Sequence, residues 1–296
     1  MTTVTPGLDA PQAARGDGFT DAVTVAFADE RSGVCGTVRL GLAGGSTASG
    51  LVVLFRGADV AAVAAEGGVA VDDPSAWEHV QASGIDMETL EPLRRWRLAF
   101  AGQDASLDLE LEASGPACAL TEDDAVARAG GMLGFEQPVR VQGSAEVGGQ
   151  RVTIDGLGQR GRSWGSPDWS RIGRTRTVSA WFGERALSVA AIAKAGERDH
   201  GREAISATIF GPGDAGCTAV GDPRLSTTFD EDGRQRRASL ELWITDDGPP
   251  VRATGDVLCG TTLDLGRMRL DTAFLTWRMD DAVGVGRYDI LRRTED

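Results

Sequence analysis

Apolar and polar residues alternate along much of the 296-residue chain, as they do in β-strands that bury one face. The alternation is clearest over Val23–Phe27, Leu107–Leu111 and Ser239–Ile244. Turn residues lie between such runs; Gly148 and Gly149, for example, can adopt the positive φ angles of a tight hairpin. The pattern therefore predicts a protein built mainly of antiparallel hairpins.

Helical signals are few. Asp73–Gln81 begins with Asp-Pro-Ser, which can cap a short helix, and Glu122–Arg128 is predicted to form another. Many short strands with glycine-rich turns are typical of β-sandwiches and β-barrels, and 296 residues is long for one such domain. The predicted fold class is all-β, with two antiparallel β-barrel or β-sandwich domains in tandem and a few short helices.

The domain boundary is predicted within Ser114–Gly134, because this acidic stretch of small residues interrupts the strand alternation. Residues 1–18 are expected to form a disordered tail. Residues 19–134 then make the N-terminal domain and residues 135–296 the C-terminal domain. The junction segment 135–181 is expected to line a site.

Composition narrows the classes of function. The formal net charge of −14 and the pI near 4.7 disfavour nucleic-acid and anionic-membrane partners, because both require clustered cations. The longest apolar run, Val60–Ala65, is far shorter than the ~20 residues of a membrane-spanning helix. The first residues lack the basic start and apolar middle of a secretory signal, so a cytoplasmic location is expected.

Neither a metal site nor a nucleotide cofactor is expected. The two histidines cannot build a histidine-rich metal site, and the four cysteines form no Cys-x-x-Cys motif, so buried free thiols are expected instead of disulfides. Residues 156–161 match Gly-x-Gly-x-x-Gly, but Pro167 follows where a dinucleotide site needs a helix. Residues 161–165 match Gly-x-Ser-x-Gly, but the same proline removes the helix that a nucleophile elbow requires.

The most specific motif lies in one dense segment. Residues 134–143 read Gly-Phe-Glu-Gln-Pro-Val-Arg-Val-Gln-Gly, and residues 155–169 read Asp-Gly-Leu-Gly-Gln-Arg-Gly-Arg-Ser-Trp-Gly-Ser-Pro-Asp-Trp. The two runs resemble the hallmark of the carotenoid-hydratase and Diels–Alderase superfamily of tandem lipocalin-like proteins. In this chain Gly161 replaces the aspartate of the family pattern, and Arg162 replaces the histidine of many members. Weaker similarity elsewhere extends the resemblance over most of the chain.

The resemblance implies two lipocalin-like domains, no cofactor and a hydrophobic small-molecule substrate. Members of the superfamily include hydratases and pericyclic or polyene cyclases. Membership therefore implies a polyene, terpenoid or polyketide-derived substrate before it implies any one reaction.

Seven residues are candidates for binding such a substrate. Trp164, Trp169 and Trp181 can form flat apolar walls whose faces stabilise positive charge by about 0.5–2 kcal/mol per contact. Each could equally belong to the core of a β-domain. Four polar residues could hydrogen-bond a substrate carbonyl and hold the substrate in a reactive conformation. They are Gln137, Arg160, Arg162 and Ser163.

Glu136 and Asp168 are the candidate catalytic acids. Burial beside indole rings would raise the pKa of a carboxyl and allow it to donate a proton near neutral pH. Either carboxylate could instead pair with Arg160 or Arg162 and remain ionised. We expect Asp168, which is next to Trp169, to be the acid, and Glu136 to pair with an arginine.

Two functional hypotheses follow from these residues and the resemblance. The first is a cofactor-independent cyclase, pericyclase or hydratase with its pocket near the domain junction. The second is a non-catalytic carrier for a lipid, steroid or carotenoid, which would use the same aromatic pocket without needing a protonatable carboxyl.

Overall fold

The chain divides into two compact units. The computed structural model describes four stretches of the chain: residues 3–197, 200–212, 216–245 and 248–294. Unit 1 comprises Met1–Thr121 and Met132–Pro167, and unit 2 comprises Glu122–Gly131 and Asp168–Asp296. Each unit contains its own curled antiparallel sheet, so the predicted all-β fold class is confirmed.

In the described residues, unit 1 forms one sheet of ten strands. They are β1 (Thr20–Asp29), β2 (Val34–Ala43), β3 (Thr47–Arg56), β4 (Asp59–Ala70), β5 (Ile85–Glu91), β6 (Arg95–Ala101), β7 (Ala105–Ala113), β8 (Cys118–Leu120), β9 (Met132–Val147) and β10 (Gln150–Gly165). The strand order is β4-β3-β2-β1-β10-β9-β7-β6-β5, and β8 pairs with β9. Short 3₁₀ helices span Pro6–Leu8 and Trp77–His79.

Unit 2 forms a second sheet of nine strands over the part that the structure describes. They are β11 (Ile172–Phe182), β12 (Arg185–Lys194), β13 (Ala204–Phe210), β14 (Cys217–Ala219), β15 (Asp222–Phe229), β16 (Gln235–Trp243), β17 (Val251–Asp264), β18 (Met268–Met279) and β19 (Ala282–Arg293). The order is β14-β13-β12-β11-β19-β18-β17-β16-β15. The unit also contains helix α1 (Ala125–Gly130) and a 3₁₀ helix at His200–Arg202.

The predicted strands are confirmed, because Val23–Phe27 lies in β1, Leu107–Leu111 in β7, and most of Ser239–Ile244 in β16. Gly148 and Gly149, at φ 58° and 71°, form the two-residue turn that joins β9 to β10.

The two predicted helices are shorter than expected. Of Asp73–Gln81 only the turn Trp77–His79 is helical, because Ala76 is extended and the buried Trp77 indole N–H donates to the carbonyl of Asp9. The second predicted helix is observed as α1.

The division into units differs from the predicted boundary after residue 134. Residues 132–167 form β9 and β10, which pair with β7 and β1 of unit 1. Only the short segment 122–131, which contains α1, belongs to unit 2. Alternation within a strand shows which face is buried but not which sheet the strand joins, so this boundary could not be located from the pattern.

Alternating residues of each sheet form the hydrophobic core of its unit. On β1, Val23, Val25 and Phe27 point into the core of unit 1, where Trp77 and Trp96 are also buried. A separate core in unit 2 lies on one face of its sheet and includes several large side chains. They are Leu240, Trp277, Met279, Tyr288 and Ile290.

The Gly-x-Gly-x-x-Gly run lies within β10 and precedes no helix, as expected from Pro167. Its first two glycines allow the neighbouring strand β1 to approach closely, because a side chain at these positions would collide with the backbone of β1. A Cβ on Gly156 would lie 2.2 Å from the carbonyl oxygen of Ala28, and one on Gly158 would lie 2.5 Å from that of Ala26. Ser163 is also part of this regular strand, so it is not at a nucleophile elbow.

Candidate functional site

Two paired strands of unit 1 contain six of the nine predicted site residues. The six are Glu136, Gln137, Arg160, Arg162, Ser163 and Trp164. The register pairs Gln137 with Arg160 and Glu136 with Gly161. Successive side chains of a strand point to opposite faces. Arg160, which also pairs with the core residue Val25 of β1, therefore lies on the core face, and Glu136 lies on the opposite face.

Arg160 is enclosed in the core of unit 1, at 0% exposure. Its guanidinium lies 4.5 Å from the ring centre of Trp96, and its Nη2 is 2.6 Å from Oδ1 of Asp9. Burial lowers the pKa of Arg160 to about 10, although the carboxylate of Asp9 opposes this shift. The residue therefore remains charged at neutral pH and is balanced by a buried carboxylate.

Arg162 is held in a similar way two residues along β10. Its Nη1 and Nη2 donate to the two carboxylate oxygens of Asp21, at 2.6 Å and 3.1 Å. Further bonds run to the carbonyl oxygens of Asp9, Ala10 and Ala22. The guanidinium also lies 4.5 Å from the ring centre of Trp77. Fork-shaped pairing of this kind fixes both position and orientation.

The N-terminal segment belongs to this buried network, which differs from the expected disordered tail. Asp9 is 1% exposed, and its Oδ2 accepts hydrogen bonds from the Leu93 amide at 2.7 Å and the Trp96 indole at 2.9 Å. The amide of Gln12 donates to Asp21 at 2.6 Å. Contacts so distant in sequence leave no periodic signal in a short polar segment, which explains why the pattern indicated disorder.

Gln137 is buried and supports backbone structure. Its Nε2 donates to the carbonyl oxygens of Leu93 and Gly115, both at 3.0 Å. For Gln137, Arg160 and Arg162 the geometry favours structural roles in the core, and their binding of substrate stays a prediction.

A carboxylate–amide pair lies on the opposite face of β9 and β10. Glu136 is half-buried, and its Oε2 accepts a hydrogen bond of 2.8 Å from Nε2 of the buried Gln159. A Cβ on Gly161 would lie 2.5 Å from Oε1 of Glu136. Glycine at this position therefore leaves room for the carboxylate to lie across the neighbouring strand. The charge of Glu136 also favours the protonated form of Arg160, which raises the pKa of that guanidinium.

Trp164 and Ser163 extend this part of the sheet toward the end of β10. The Trp164 ring is half-buried and meets Phe135 edge-to-face, with ring centres 6.4 Å apart. Arg162 lies 5.9 Å from the Trp164 ring centre. Ser163 is half-buried and pairs with Gly134 across the sheet. Trp164 thus has an aromatic contact on one side and a partly accessible ring, as a substrate-facing indole requires.

Asp168 belongs to unit 2 and is exposed at a turn before β11. Its Oδ1 accepts hydrogen bonds from the Ser170 hydroxyl at 2.5 Å and from the Ser170 amide at 3.0 Å. These bonds lower the pKa of Asp168 from its usual 3.8, and the bond from the Ser170 hydroxyl contributes most. The predicted rise in pKa is therefore wrong, because the carboxylate is solvated and accepts hydrogen bonds instead of lying against indole.

This turn predicts a pH-dependent contribution to stability. A carboxyl whose pKa is lower in the folded protein stabilises the fold above its unfolded pKa, and this contribution disappears as the pH falls through the folded pKa. Asp168→Ala should therefore lower the thermal midpoint of unfolding at about pH 7, and lower it by a smaller amount at about pH 3, below the usual pKa of 3.8. The exposed Asp281→Ala is the control in differential scanning calorimetry. Equal effects of Asp168→Ala at both pH values would contradict the interpretation.

The other two predicted tryptophans also belong to unit 2. Trp169 is half-buried in the same turn, and its carbonyl accepts a hydrogen bond of 3.4 Å from Arg293. Trp181 is buried on β11, with its ring centre 6.5 Å from that of Phe274. Their roles in substrate binding stay predictions.

The cysteines only partly match expectation. Cys35 and Cys259 are buried thiols outside any disulfide, as expected, whereas Cys118 and Cys217 are disulfide-bonded, so thiols were the wrong expectation for these two. Spacing along the chain did not reveal this, because disulfide formation depends on distances in the fold.

Among the described residues, no group of three or more His, Cys, Asp or Glu side chains is arranged to hold a metal ion. No helix in that part of the chain is long and apolar enough to cross a membrane.

The sequence analysis did not identify several residues that contact Arg160, Arg162 or Glu136. They are Asp9, Asp21, Trp77, Trp96 and Gln159. Gln159 could have been found from the sequence. It lies two residues before Gly161, which pairs with Glu136, so the side chains of Gln159 and Glu136 point to the same face of the sheet. The others come from segments far away in sequence.

Solved structures share this arrangement of two curled antiparallel sheets. A protein from Nitrosomonas europaea named AttH matches with a TM-score of 0.70 at 14% identity, covering 98% of both chains. CghA, solved with Sch210972, matches with a TM-score of 0.66 at 12% identity, covering 94% of this chain and 89% of its own. Kievitone hydratase from Nectria haematococca matches with a TM-score of 0.67 at 14% identity, covering 99% and 94%.

These similarities show the fold. The chain shares the tandem lipocalin-like fold of these proteins, which confirms the fold that the predicted resemblance implied. The family profile described as "Domain of unknown function (DUF7064)" matches residues 6–294, and the chain belongs to this family. No curated protein matches it in sequence.

Proposed function

We propose that the protein is a cofactor-independent enzyme of the cyclase, pericyclase or hydratase type that acts on a hydrophobic polyene, terpenoid or polyketide-derived substrate. Two proteins that share its fold support this proposal: CghA, a Diels–Alderase, and kievitone hydratase.

The position of Glu136 is the observation that carries the proposal. A half-buried carboxyl lies over Gly161, where no side chain competes for the space, and the buried Gln159 amide fixes one of its oxygens at 2.8 Å. A carboxyl oriented in this way can transfer a proton to a substrate placed above the glycine.

Glu136 is better suited to proton transfer than Asp168. The Asp168 carboxyl is exposed and has a lowered pKa, because Ser170 donates two hydrogen bonds to it. An acid that strongly favours its ionised form near neutral pH is a poor proton donor. We therefore assign the acid–base role to Glu136 in this proposal.

The proposed groups allow two kinds of reaction. In hydration, protonated Glu136 gives its proton to one alkene carbon, the π electrons form the new C–H bond, and water adds to the resulting cation before returning a proton to the carboxylate. In a pericyclic cyclisation no proton moves, and the site contributes by holding the diene and dienophile close together.

Polyene binding and conversion test the proposal. Wild-type protein should bind the fluorescent polyene cis-parinaric acid, and Gly161→Val should weaken binding by about 3- to 10-fold, because its side chain would displace the Glu136 carboxylate from the space over residue 161. The control is Gly67→Val, which adds the same side chain to β4, where the nearest atom, the Cβ of Ser49, is 4.0 Å from the new Cβ. Binding is measured by energy transfer from tryptophan.

Conversion is measured by liquid chromatography and mass spectrometry on linear polyenes that carry both a conjugated diene and an electron-poor alkene. We expect an isomeric cyclised product or a product heavier by one water. A protein that binds these polyenes but converts none of them would be a carrier, and this outcome would contradict the proposal.

A further inference from the structure

Three buried hydrogen-bond donors lie together on the sheet of unit 2. They are Ser179 Oγ, Trp181 Nε1 and Arg287 Nε, on residues that are 1%, 3% and 7% exposed. None of the described residues accepts a hydrogen bond from any of these atoms. Native proteins pair nearly all of their buried polar groups, so a set of such donors calls for a specific explanation.

The sheet register places the three side chains on one face. Ser179 of β11 pairs directly with Arg287 of β19, and Trp181 follows Ser179 by two residues, so all three point to the same side. Arg287 in turn pairs with Phe274 of β18, whose ring centre is 6.5 Å from that of Trp181. The donors therefore lie beside two aromatic rings.

This face is not the hydrophobic core of unit 2. The neighbouring residues Val178, Ala180 and Phe182 alternate with Ser179 and Trp181, and they are the ones that pack into that core. The donors thus occupy the opposite side of β11. A polar group retained here does not serve the packing of the core.

Arg287 has a charge partner, Asp289, which contacts its Nη1 and leaves its Nε–H without an acceptor. Asp289 Oδ2 lies 3.5 Å from Arg287 Nη1, and Oδ1 of Asp289 accepts a hydrogen bond from Thr272. Asp289 therefore balances the charge of the guanidinium from one end. The Nε–H, the Ser179 hydroxyl and the Trp181 indole N–H remain as donors, and an oxygen atom with its lone pairs is the group that such donors bind.

We propose that Ser179, Trp181 and Arg287 form a binding site for an oxygen acceptor, a carbonyl or carboxylate group, on an otherwise apolar unsaturated ligand whose carbon chain contacts Trp181 and Phe274. This inference goes beyond the proposed function, because it assigns unit 2 its own binding site for an oxygen-bearing polyene. Ser179 and Arg287 were not among the residues expected from the sequence, whereas Trp181 was.

Three fluorescent polyenes test the site: cis-parinaric acid, its methyl ester and diphenylhexatriene. The first carries a carboxylate, the second an ester carbonyl, and the third no oxygen. Ser179→Ala and Trp181→Phe each remove one donor and retain most of the side-chain volume. We expect each to weaken binding of the acid, the ester or both by about 3- to 10-fold, without changing diphenylhexatriene binding.

Matched controls make the same chemical changes elsewhere in unit 2. Ser226→Ala alters an exposed serine of β15, and Trp243→Phe removes another buried indole N–H that has no partner, on β16. Both should leave all three affinities unchanged. Because Ser179→Ala and Trp181→Phe remove unpaired buried donors, their thermal midpoints should be equal to or above that of the wild type. Loss of ligand affinity would then not reflect loss of folding.

The outcomes separate this site from the proposed function. A selective loss for the acid alone identifies the acceptor as a carboxylate, and a loss for both the acid and the ester identifies a carbonyl oxygen. If both variants bind all three polyenes as the wild type does, the oxygen site is overturned and the proposed function stands. If the wild type binds none of the polyenes, both are overturned.

Discussion

Glu136→Gln should reduce kcat for polyene hydration by about 10²- to 10⁴-fold, the usual contribution of a positioned acid or base. Glutamine has nearly the same shape and can still meet the Gln159 amide, but it has no carboxyl proton to transfer. Affinity for cis-parinaric acid should therefore stay within about threefold of wild type. Steady-state kinetics with the converted polyene, together with fluorescence binding, measure the two effects separately.

The control for this substitution is Glu146→Gln, which alters an exposed carboxylate on the same strand, β9. It should leave kcat unchanged, as should Asp168→Asn. A loss of kcat with Asp168→Asn and none with Glu136→Gln would reverse the assignment of the acid. Retention of full kcat in both variants would show that neither carboxyl transfers a proton in the reaction, as in a pericyclic mechanism.

Asp9→Ala should lower the free energy of unfolding by about 3–5 kcal/mol, the usual cost of leaving a buried ionic partner uncompensated. Asp9 is the carboxylate 2.6 Å from the enclosed guanidinium of Arg160. It also accepts hydrogen bonds from the Leu93 amide and the Trp96 indole, so three buried donors would lose their acceptor together. Urea denaturation followed by tryptophan fluorescence measures the change.

Asp17→Ala is the matched control, because Asp17 is an exposed aspartate in the same N-terminal segment. It should change the free energy of unfolding by less than about 0.5 kcal/mol. A further variant, Asp9→Asn, keeps the shape and an acceptor oxygen but removes the charge. Its stability should lie between those of the wild type and Asp9→Ala. A cost below about 1 kcal/mol for Asp9→Ala would contradict the assigned role of this residue.

The class of fold could be predicted from the sequence, because strand alternation and turn glycines are local properties. Val23–Phe27 shows this: its period of two matches its burial in β1. The segment 135–167 shows the limit, since it reads as strands but joins unit 1 by pairing with β1 and β7. Long-range pairing of this kind leaves no trace in the pattern of a single strand.

The sequence predicted which segment contains the candidate site, but not the orientation or the pKa of several of its side chains. The motif pointed to β9 and β10, and Glu136 does lie where a carboxyl can be held over a glycine. Whether an arginine faces substrate or core depends on the face of the strand it occupies, and Arg160 lies on the core face. The pKa of Asp168 depends on Ser170, a turn contact that alternation does not describe.

The anchored N-terminal segment has a practical consequence for anyone who prepares shortened versions of this protein. A chain that starts at residue 19, the domain boundary predicted from the sequence, would lack Asp9. The buried positive charge of Arg160 would then have lost its carboxylate partner in the core of unit 1. Arg162 would keep Asp21 but lose two backbone acceptors. A truncated product of this kind should accumulate as insoluble material, and a purification tag is better attached at the C-terminus.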